Sequence, residues 1–289
     1  ISRYLMEITQ ISKLSREEWG KKWTEAIAEL FDFQGTLSYG ETAERFRKLL
    51  KTGLLRQTDL RDNPDRFFQA HRLIGDYGIR VGPGVLIRFT VQYNLFCGTI
   101  VALGTEEQVE SLNAMQAAGK LGCFGLTEKF AGVNSGLVVQ TTAEWDETKQ
   151  QFRINSPDTG SEKNWISQGC TADVCVVIAD LKIKGKSYGP HAFLMDFRRN
   201  GKLVDGITIG DMGIKTIGND LDNAWIRFSD VWIPKSALLS KYCTIEGNEY
   251  IQKNKDIRAF DMIGQRLYTG RMVIATSAVV FTRMLFKKT

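Results

Sequence analysis

The chain has 289 residues, enough for two domains at the usual size of roughly 100–200 residues each. Its composition, 43% hydrophobic and 25% charged, is ordinary for a globular protein, and no uninterrupted apolar run approaches the ~20 residues of a membrane span, so we predict none. The net charge of +5 is scattered, without a basic aromatic patch. It therefore predicts no nucleic-acid binding but suits a polyanionic ligand.

The first ~120 residues have helical periodicity and helix-capping signals. The clearest signal is Ser15-Arg-Glu-Glu18, a capping box that opens an amphipathic run. A later run is apolar nearly all round, which is typical of a helix at the centre of a bundle. The predicted helices are 15–30, 42–50, 63–74, 85–103 and one opened by Thr105.

From about residue 121 the hydrophobic period changes to two, which predicts strands. A polar turn joins two alternating runs, 138–144 and 151–155, and indicates a hairpin. Further strands are predicted at 121–126, 172–179, 191–197 and 223–228. Six to eight such strands favour an antiparallel barrel or sandwich.

Helical periodicity returns after Pro234, most clearly from Phe260 to Phe286. The predicted fold is therefore α+β and multidomain: a helical domain over residues 1–120, a β-domain over 121–240, and the start of a C-terminal helical bundle over 241–289. The N-terminus lacks a starting Met and a signal pattern, and we interpret it as the edge of a fragment.

Neither the histidines nor the cysteines suggest a metal site. His71 and His191 lie far apart in sequence and have no clear partner for a triad, so both are expected to be structural. The cysteines are odd in number and lack zinc-like spacing, which predicts buried, reduced thiols in a reducing compartment. They are Cys97, Cys123, Cys170, Cys175 and Cys243.

The most distinctive stretch, residues 125–136, is Gly-Leu-Thr-Glu-Lys-Phe-Ala-Gly-Val-Asn-Ser-Gly. A hydroxyl and a carboxylate precede a glycine-rich loop, where the missing Cβ atoms let backbone N–H groups approach a ligand closely. About thirty positions later, Lys163-Asn-Trp-Ile-Ser167 places an indole and a hydroxyl on one face of a strand. Together the segments predict a site for a planar ligand with hydrogen-bonding edges.

This pair resembles the two signature segments of the acyl-CoA dehydrogenase and acyl-CoA oxidase superfamily. The resemblance extends from about residue 60 to about residue 275. Trp165-Ile-Ser is closer to the dehydrogenase branch, whereas the other segments fit the oxidase branch better. Those segments are Arg66-Phe-Phe-Gln-Ala-His-Arg72, Tyr188-Gly-Pro-His-Ala-Phe193, Gly210-Asp-Met-Gly-Ile-Lys215, Asp222-Asn-Ala-Trp-Ile-Arg-Phe228 and Val231-Trp-Ile-Pro234.

The resemblance implies FAD as cofactor. Thr127 would bond the pyrimidine side of the isoalloxazine, Trp165 would pack near the ring, and Ser167 would lie near its N5 atom. A planar apolar ring with polar edges suits such a set, because it needs aromatic cover and a few fixed donors. The implied cofactor-binding residues are Phe124, Leu126, Thr127, Asn134, Trp165, Ile166 and Ser167.

Two substrate contacts are implied as well. The family carries a serine in the glycine loop where this chain has Val133, so Ser135 is the candidate to replace it. Arg271 lies in a Gly-Arg-x-x-x-Ala segment whose arginine approaches CoA in the family, and a guanidinium suits phosphate. The alternative for Arg271 is a solvated helix face.

The resemblance provides no catalytic residue. The family's base is a glutamate in the C-terminal bundle or, in a minority, one that precedes an arginine on that bundle's first helix, where this chain has Thr269-Gly270. Glu128 is structural in the family. The chain is thus expected to be a fragment that lacks most of the bundle and does not turn over alone, with its base beyond residue 289.

The implied function is FAD-dependent α,β-dehydrogenation of acyl-CoA to trans-2-enoyl-CoA, with reoxidation by oxygen, in fatty acid β-oxidation. A dehydrogenase that uses an electron-transferring flavoprotein and a non-catalytic acyl-CoA-binding relative remain alternatives. The implied partners are acyl-CoA and further copies of the chain, as a homodimer or homotetramer. The implied location is the peroxisome or glycosome, with the mitochondrion as the alternative.

Overall fold

The computed structural model describes residues 10–31, 35, 37–135 and 137–288, so Gly136 and the N-terminal residues interpreted above as an edge lie outside it. The described helices largely follow the predicted order. They are α1 (Arg16–Phe31), α2 (Tyr39–Lys51), α3 (Asp59–Asp62), α4 (Pro64–Val81), α5 (Pro83–Thr90), a π-helical segment (Val91–Phe96), α6 (Cys97–Leu103), α7 (Glu106–Ala118) and α8 (Ala259–Lys288).

The helix starts follow the capping chemistry of the sequence. The predicted box at Ser15 is present: the Glu18 amide donates to Ser15 Oγ at 3.3 Å, and the Glu18 carboxylate accepts from the Ser15 amide at 2.9 Å. Thr105 caps α7 in the same way. The second helix begins earlier than predicted, at Tyr39, because Ser38 forms a capping box of its own.

The apolar run predicted as one central helix contains a six-residue π-helical segment, Val91–Phe96. The buried side-chain amides of two of its residues make contacts outside the helix. Gln92 Oε1 accepts from the Gly122 amide at 2.8 Å, and Asn94 Nδ2 donates to the Arg266 carbonyl at 2.8 Å. Because Gly122 begins the first strand and Arg266 lies on α8, this segment connects the central helix to both.

The main sheet has six strands in a mixed arrangement, not the wholly antiparallel one predicted. Strand β5 pairs in parallel with β1 and with β2 along one edge, and antiparallel with β6 along the other. Strand β3 continues the sheet from β2, and β11 completes it. These strands are β1 (Gly122–Gly125), β2 (Thr142–Asp146), β3 (Gln151–Asn155), β5 (Val174–Ile183), β6 (Lys186–Asp196) and β11 (Val231–Pro234).

A second sheet packs on the first. It consists of β4 (Lys163–Ser167), β10 (Asn223–Phe228) and β9 (Ile207–Asp211), all antiparallel. Side chains of both sheets share one core, including Ile166, Phe193 and Phe228. This confirms the α+β architecture, whereas the predicted domain boundaries at residues 120 and 240 stay predictions. Small ribbons add β7 (Arg198–Arg199) with β8 (Lys202–Leu203), and β12 (Cys243–Glu246) with β13 (Glu249–Gln252).

Two helical stretches are long and apolar enough to cross a membrane by length and composition alone, and the expected absence of a membrane span stays a prediction. Pro83–Leu103 is a core helix, with 89% of its apolar stretch buried inside the protein. Ile263–Lys287 is only 11% buried: Ile263 and Val273 pack inward, while Tyr268 and Val279 are exposed. Length and composition of this kind are weak indications of a span, because buried core helices share them.

His71 should make the stability of the protein depend on pH. The ring is fully buried, and its Nδ1 donates to the Phe67 carbonyl at 2.9 Å. Burial lowers the pKa of His71 to about 4 from its ordinary 6.5. As the pH falls from 6.5 to about 4, the unfolded chain binds a proton at His71 that the folded protein does not. The contribution of the neutral, buried His71 to the free energy of unfolding therefore falls by about 3 kcal/mol.

Urea unfolding of the wild-type protein and of His71→Gln at pH 7 and pH 4.5 measures this contribution. Burial raises the pKa of Asp59 to about 6, which acts in the opposite direction across the same window. The difference between the two proteins removes the Asp59 contribution, since Asp59 is present in both. An equal pH dependence in wild type and variant would contradict the prediction.

Candidate functional site

The two distinctive segments of the sequence lie side by side. After β1 ends, the chain continues past β4, where the Asn164 amide donates to the Thr127 carbonyl at 2.9 Å. Glu128 and Lys163 form an antiparallel bridge at the same place. The segment after β1 therefore lies beside β4, although the two are about 35 positions apart in sequence.

Trp165 has an unusual backbone at this surface. Its φ is +57°, in the left-handed region that non-glycine residues rarely adopt, and the register between β4 and β10 shifts opposite it. The indole is 52% exposed even though its strand neighbour Ile166 is buried. Such a conformation costs about 1–3 kcal/mol, and strained residues of this kind cluster at active sites and ligand clamps. An exposed indole on strained backbone therefore marks β4 as a candidate ligand surface.

Two hydroxyl groups accompany the indole. The Ser167 hydroxyl accepts from Asn223 Nδ2 at 3.1 Å, and the same amide approaches the Trp165 carbonyl at 3.5 Å. Thr127 is partly exposed, and its hydroxyl makes no hydrogen bond with any residue that the structure describes. The surface thus carries an exposed indole, one hydroxyl held by Asn223 and one hydroxyl without a described partner.

The other residues predicted for the cofactor fall into two groups. Phe124, Leu126 and Ile166 are buried, so their side chains do not form an exposed ligand surface. Asn134 is exposed and ends a short 3₁₀ helix, Gly132–Asn134, in the glycine-rich loop. The roles of all these residues stay predictions.

The predicted substrate residues lie elsewhere on the chain. Ser135 follows the same 3₁₀ helix, and its hydroxyl donates to the Gly132 carbonyl at 2.8 Å, so it is already used within the loop. Arg271 is exposed on α8, which packs against α4 and the π-helical segment. In the described part of the chain, no group of three or more His, Cys, Asp or Glu residues is placed to hold a metal.

Comparison with known proteins identifies the family. No family model matches the chain. An acyl-coenzyme A oxidase from Debaryomyces hansenii is 33% identical over 223 residues, which cover 74% of this chain and 31% of that relative. The crystal structure of acyl-CoA oxidase 1 from Yarrowia lipolytica matches with a TM-score of 0.70 and 26% identity, over 95% of this chain and 40% of that one. This chain belongs to the acyl-CoA oxidase family.

A third similar protein bears on the cofactor. Acyl-CoA oxidase-1 from Caenorhabditis elegans, in a structure complexed with FAD and ATP, matches with a TM-score of 0.64 and 26% identity, over 82% of this chain and 36% of that one. The oxidase resemblance seen in the sequence is thereby confirmed. The chain spans about a third of the length of the curated oxidases it matches.

A buried ion pair joins the two segments of this chain. Lys163 and Glu128 are both fully buried, with Nζ and Oε1 2.8 Å apart. Burial lowers the pKa of Lys163, and the nearby Glu128 carboxylate opposes that shift. The carboxylate also accepts the Gln140 and Thr141 amides, at 2.7 and 2.9 Å. With these partners Glu128 is a structural group and not a free base.

A second buried ion pair lies past the other end of β4. Arg88 on α5 donates to Asp222 Oδ1 at 3.0 Å and to Gln168 Oε1 at 3.1 Å. Burial lowers the pKa of Arg88, and Asp222 opposes that shift. Asp222 also accepts the Cys170 amide at 2.6 Å. This pair fixes the chain immediately after Ser167 and attaches it to the helices.

The sequence assigned no role to Lys163, Arg88, Gln168 or Asp222. The one signal available was a charged or amide residue in an apolar context, as with Arg88 inside the predicted central helix. Such a residue is almost never fully buried without a partner. The signal therefore predicts that a partner exists but not which residue it is.

Loss of the Arg88 guanidinium should destabilise the protein strongly. Arg88→Met leaves the Asp222 carboxylate buried without its cation, which should cost about 3–5 kcal/mol of unfolding free energy. Guanidinium chloride unfolding at pH 7 measures the cost. The matched control is Arg153→Met, which breaks an exposed pair with Glu144 and should cost under about 1 kcal/mol. Equal losses in the two variants would refute the assignment.

Proposed function

We propose that this chain forms the FAD-binding part of an acyl-CoA oxidase. The reaction removes two hydrogens from acyl-CoA to give trans-2-enoyl-CoA, and oxygen is reduced to hydrogen peroxide, as a step of fatty acid β-oxidation. The observation that carries the proposal is that the Thr127 segment lies beside β4, the strand of Trp165 and Ser167, where the Asn164 amide donates to the Thr127 carbonyl. Membership of the oxidase family supports it.

The residues of the site suit FAD, which in this reaction supplies the acceptor for a hydride. We propose that the Thr127 hydroxyl, which has no described protein partner, bonds an edge of the isoalloxazine. The exposed Trp165 indole would cover the ring and exclude water from one side of it. Ser167, oriented by Asn223, would donate to a ring nitrogen. Phe124, Leu126, Asn134 and Ile166 are proposed to lie around the same ring.

The proposed substrate is acyl-CoA, and its contacts are less defined. Arg271 is an exposed cation on α8 and is proposed to meet a CoA phosphate. Ser135 is a weaker candidate, because binding substrate would require its hydroxyl to leave the Gly132 carbonyl. Glu128 is excluded as the base because its carboxylate already has three partners, the Gln140 and Thr141 amides and the Lys163 ammonium, so no described residue is proposed for that step.

Oxygen is the favoured electron acceptor, because the similar proteins carry oxidase names. An electron-transferring flavoprotein as acceptor is not favoured. Assembly as a homodimer or homotetramer is a proposal, as is a location in the peroxisome or glycosome. A mitochondrial location belongs to the dehydrogenase alternative.

FAD binding should depend on the proposed ring contacts. Trp165→Ala removes aromatic cover and should raise the FAD dissociation constant about tenfold. Thr127→Val removes one hydrogen bond and should raise it about fivefold. Fluorescence titration with FAD measures both. Trp232→Ala on β11 and Thr142→Val on β2 are matched controls and should bind FAD as the wild type does. Normal binding by both site variants would contradict the proposed site.

The reaction itself tests the electron acceptor. FAD-loaded native protein given a saturated acyl-CoA in air should form hydrogen peroxide and enoyl-CoA in equal amounts. Each acyl-CoA molecule gives up two electrons, which reduce one molecule of O2 to hydrogen peroxide. Peroxide assay and chromatography of the CoA products measure this. Enoyl-CoA formed only when an electron-transferring flavoprotein is added would establish a dehydrogenase. A native protein that binds acyl-CoA but no flavin would establish the non-catalytic alternative.

A further inference from the structure

Lys163 is placed to control the spacing between the two segments of the candidate flavin site. We propose that Lys163 is a positioning residue for FAD: its buried ammonium holds the Leu126–Glu128 segment and β4 at the separation that lets Thr127 and Trp165 meet one ring. The proposal rests on the proposed function, because it concerns the same site.

Three separate segments meet at the Lys163 ammonium. Its Nζ donates to Glu128 Oε1 at 2.8 Å, to the Ile178 carbonyl at 2.7 Å and to the Leu126 carbonyl at 3.2 Å. A lysine ammonium has three donors, so all of them are used. One side chain of β4 is thereby bonded to the chain just before Thr127 and to the centre of β5.

The ion pair of Lys163 and Glu128 also holds the two ends of the glycine-rich loop. Glu128 lies where the loop begins, and its carboxylate accepts the amides of Gln140 and Thr141, where the loop ends. Lys163 fixes that carboxylate. The ammonium therefore acts on the beginning and the end of the loop as well as on β4.

The strained Trp165 backbone lies two residues from Lys163. A left-handed conformation at a non-glycine residue persists only when the surrounding structure holds both sides of it. Lys163 holds the side towards the start of β4. On the other side, Gln168 accepts from Arg88 at 3.1 Å and donates to the Gly122 carbonyl at 2.8 Å. If Lys163 is released, we expect the Trp165 indole to lose its fixed orientation.

Stability alone does not explain an ion pair at this position. A buried ion pair usually contributes little more than a well-packed apolar replacement, whereas removal of one partner leaves an uncompensated charge. The bonds from Lys163 to two carbonyls are directional and cannot be made by an apolar group. Substitutions can therefore separate the two effects of Lys163: neutralising the Glu128 charge and holding the two carbonyls in position.

The experiment compares Lys163→Met with the double variant Lys163→Met/Glu128→Gln. The single variant should unfold at a lower temperature, because it leaves a buried carboxylate without a cation. The double variant removes both charges and should recover part of the melting temperature, because the substituted side chain keeps one acceptor oxygen for the two loop amides. Its FAD dissociation constant should stay raised by about tenfold, the equivalent of one charge-assisted hydrogen bond. The visible circular dichroism of its bound flavin should also differ from that of the wild type.

Arg153→Met/Glu144→Gln is the matched control, because it removes an exposed ion pair between β2 and β3. It should leave the FAD dissociation constant and the flavin circular dichroism unchanged. Lys163→Gln, whose amide retains two donors, provides a second variant in case the double variant does not fold, and the same FAD measurements apply to it.

The outcomes separate the two proposals. If the wild-type protein binds no FAD, the proposed function fails. If the wild type binds FAD and a folded Lys163 variant binds it as tightly with the same circular dichroism, the proposed function stands and the positioning role of Lys163 is overturned. The positioning role is also overturned if FAD binding weakens only as the protein is destabilised, so that the affinity for FAD recovers together with the melting temperature in the double variant.

Discussion

Strand β5 is the constraint on which the rest of the structure depends. Its ten residues pair along both edges, with β1 and β2 on one side and β6 on the other. Its two faces enter different cores: Cys175 and Val177 pack between the sheets, whereas Val176 and Ile178 pack against the helices. A strand buried on both faces cannot shift register without exposing apolar surface. It therefore gives the site a fixed base, and its Ile178 carbonyl is one of the three acceptors of Lys163.

Local chemistry predicted much of this fold, and long-range pairing explains most of the errors. Capping boxes placed helix starts at Ser15 and Thr105. The period of two found the β2–β3 hairpin, although β2 begins only at Thr142 because the residues before it belong to the loop exit that Glu128 binds. An apolar run cannot indicate whether its neighbours are parallel, so the mixed sheet was not predicted. Strand β6 begins earlier than predicted, at Lys186. The prediction began only at His191 because the preceding Gly189 and Pro190 usually argue against a strand.

The candidate site divides in the same way. Thr127, Trp165 and Ser167 could be named from the sequence because they lie in short segments that resemble a family. The residues that hold those segments could not, because the partners of each buried ion pair are far apart in the chain: Lys163 and Glu128 by 35 positions, Arg88 and Asp222 by 134. A charged residue in an apolar context indicates that a partner exists, but only the fold identifies that partner.

The position of these ion pairs explains why the site lies where helices and sheets meet. Strands β1 and β4 belong to different sheets, and the chain after β1 meets β4 only through a short backbone pairing around Glu128 and Lys163 in the described structure. Polar side chains add bonds at two places. Lys163 bonds the chain that follows β1, and Gln168, held by Arg88, bonds the Gly122 carbonyl at the start of β1. Because Arg88 lies on α5, the separation of the two segments depends on the packing of the helical region as well as on the sheets, and a substitution in that helix should alter the site without touching its ligand.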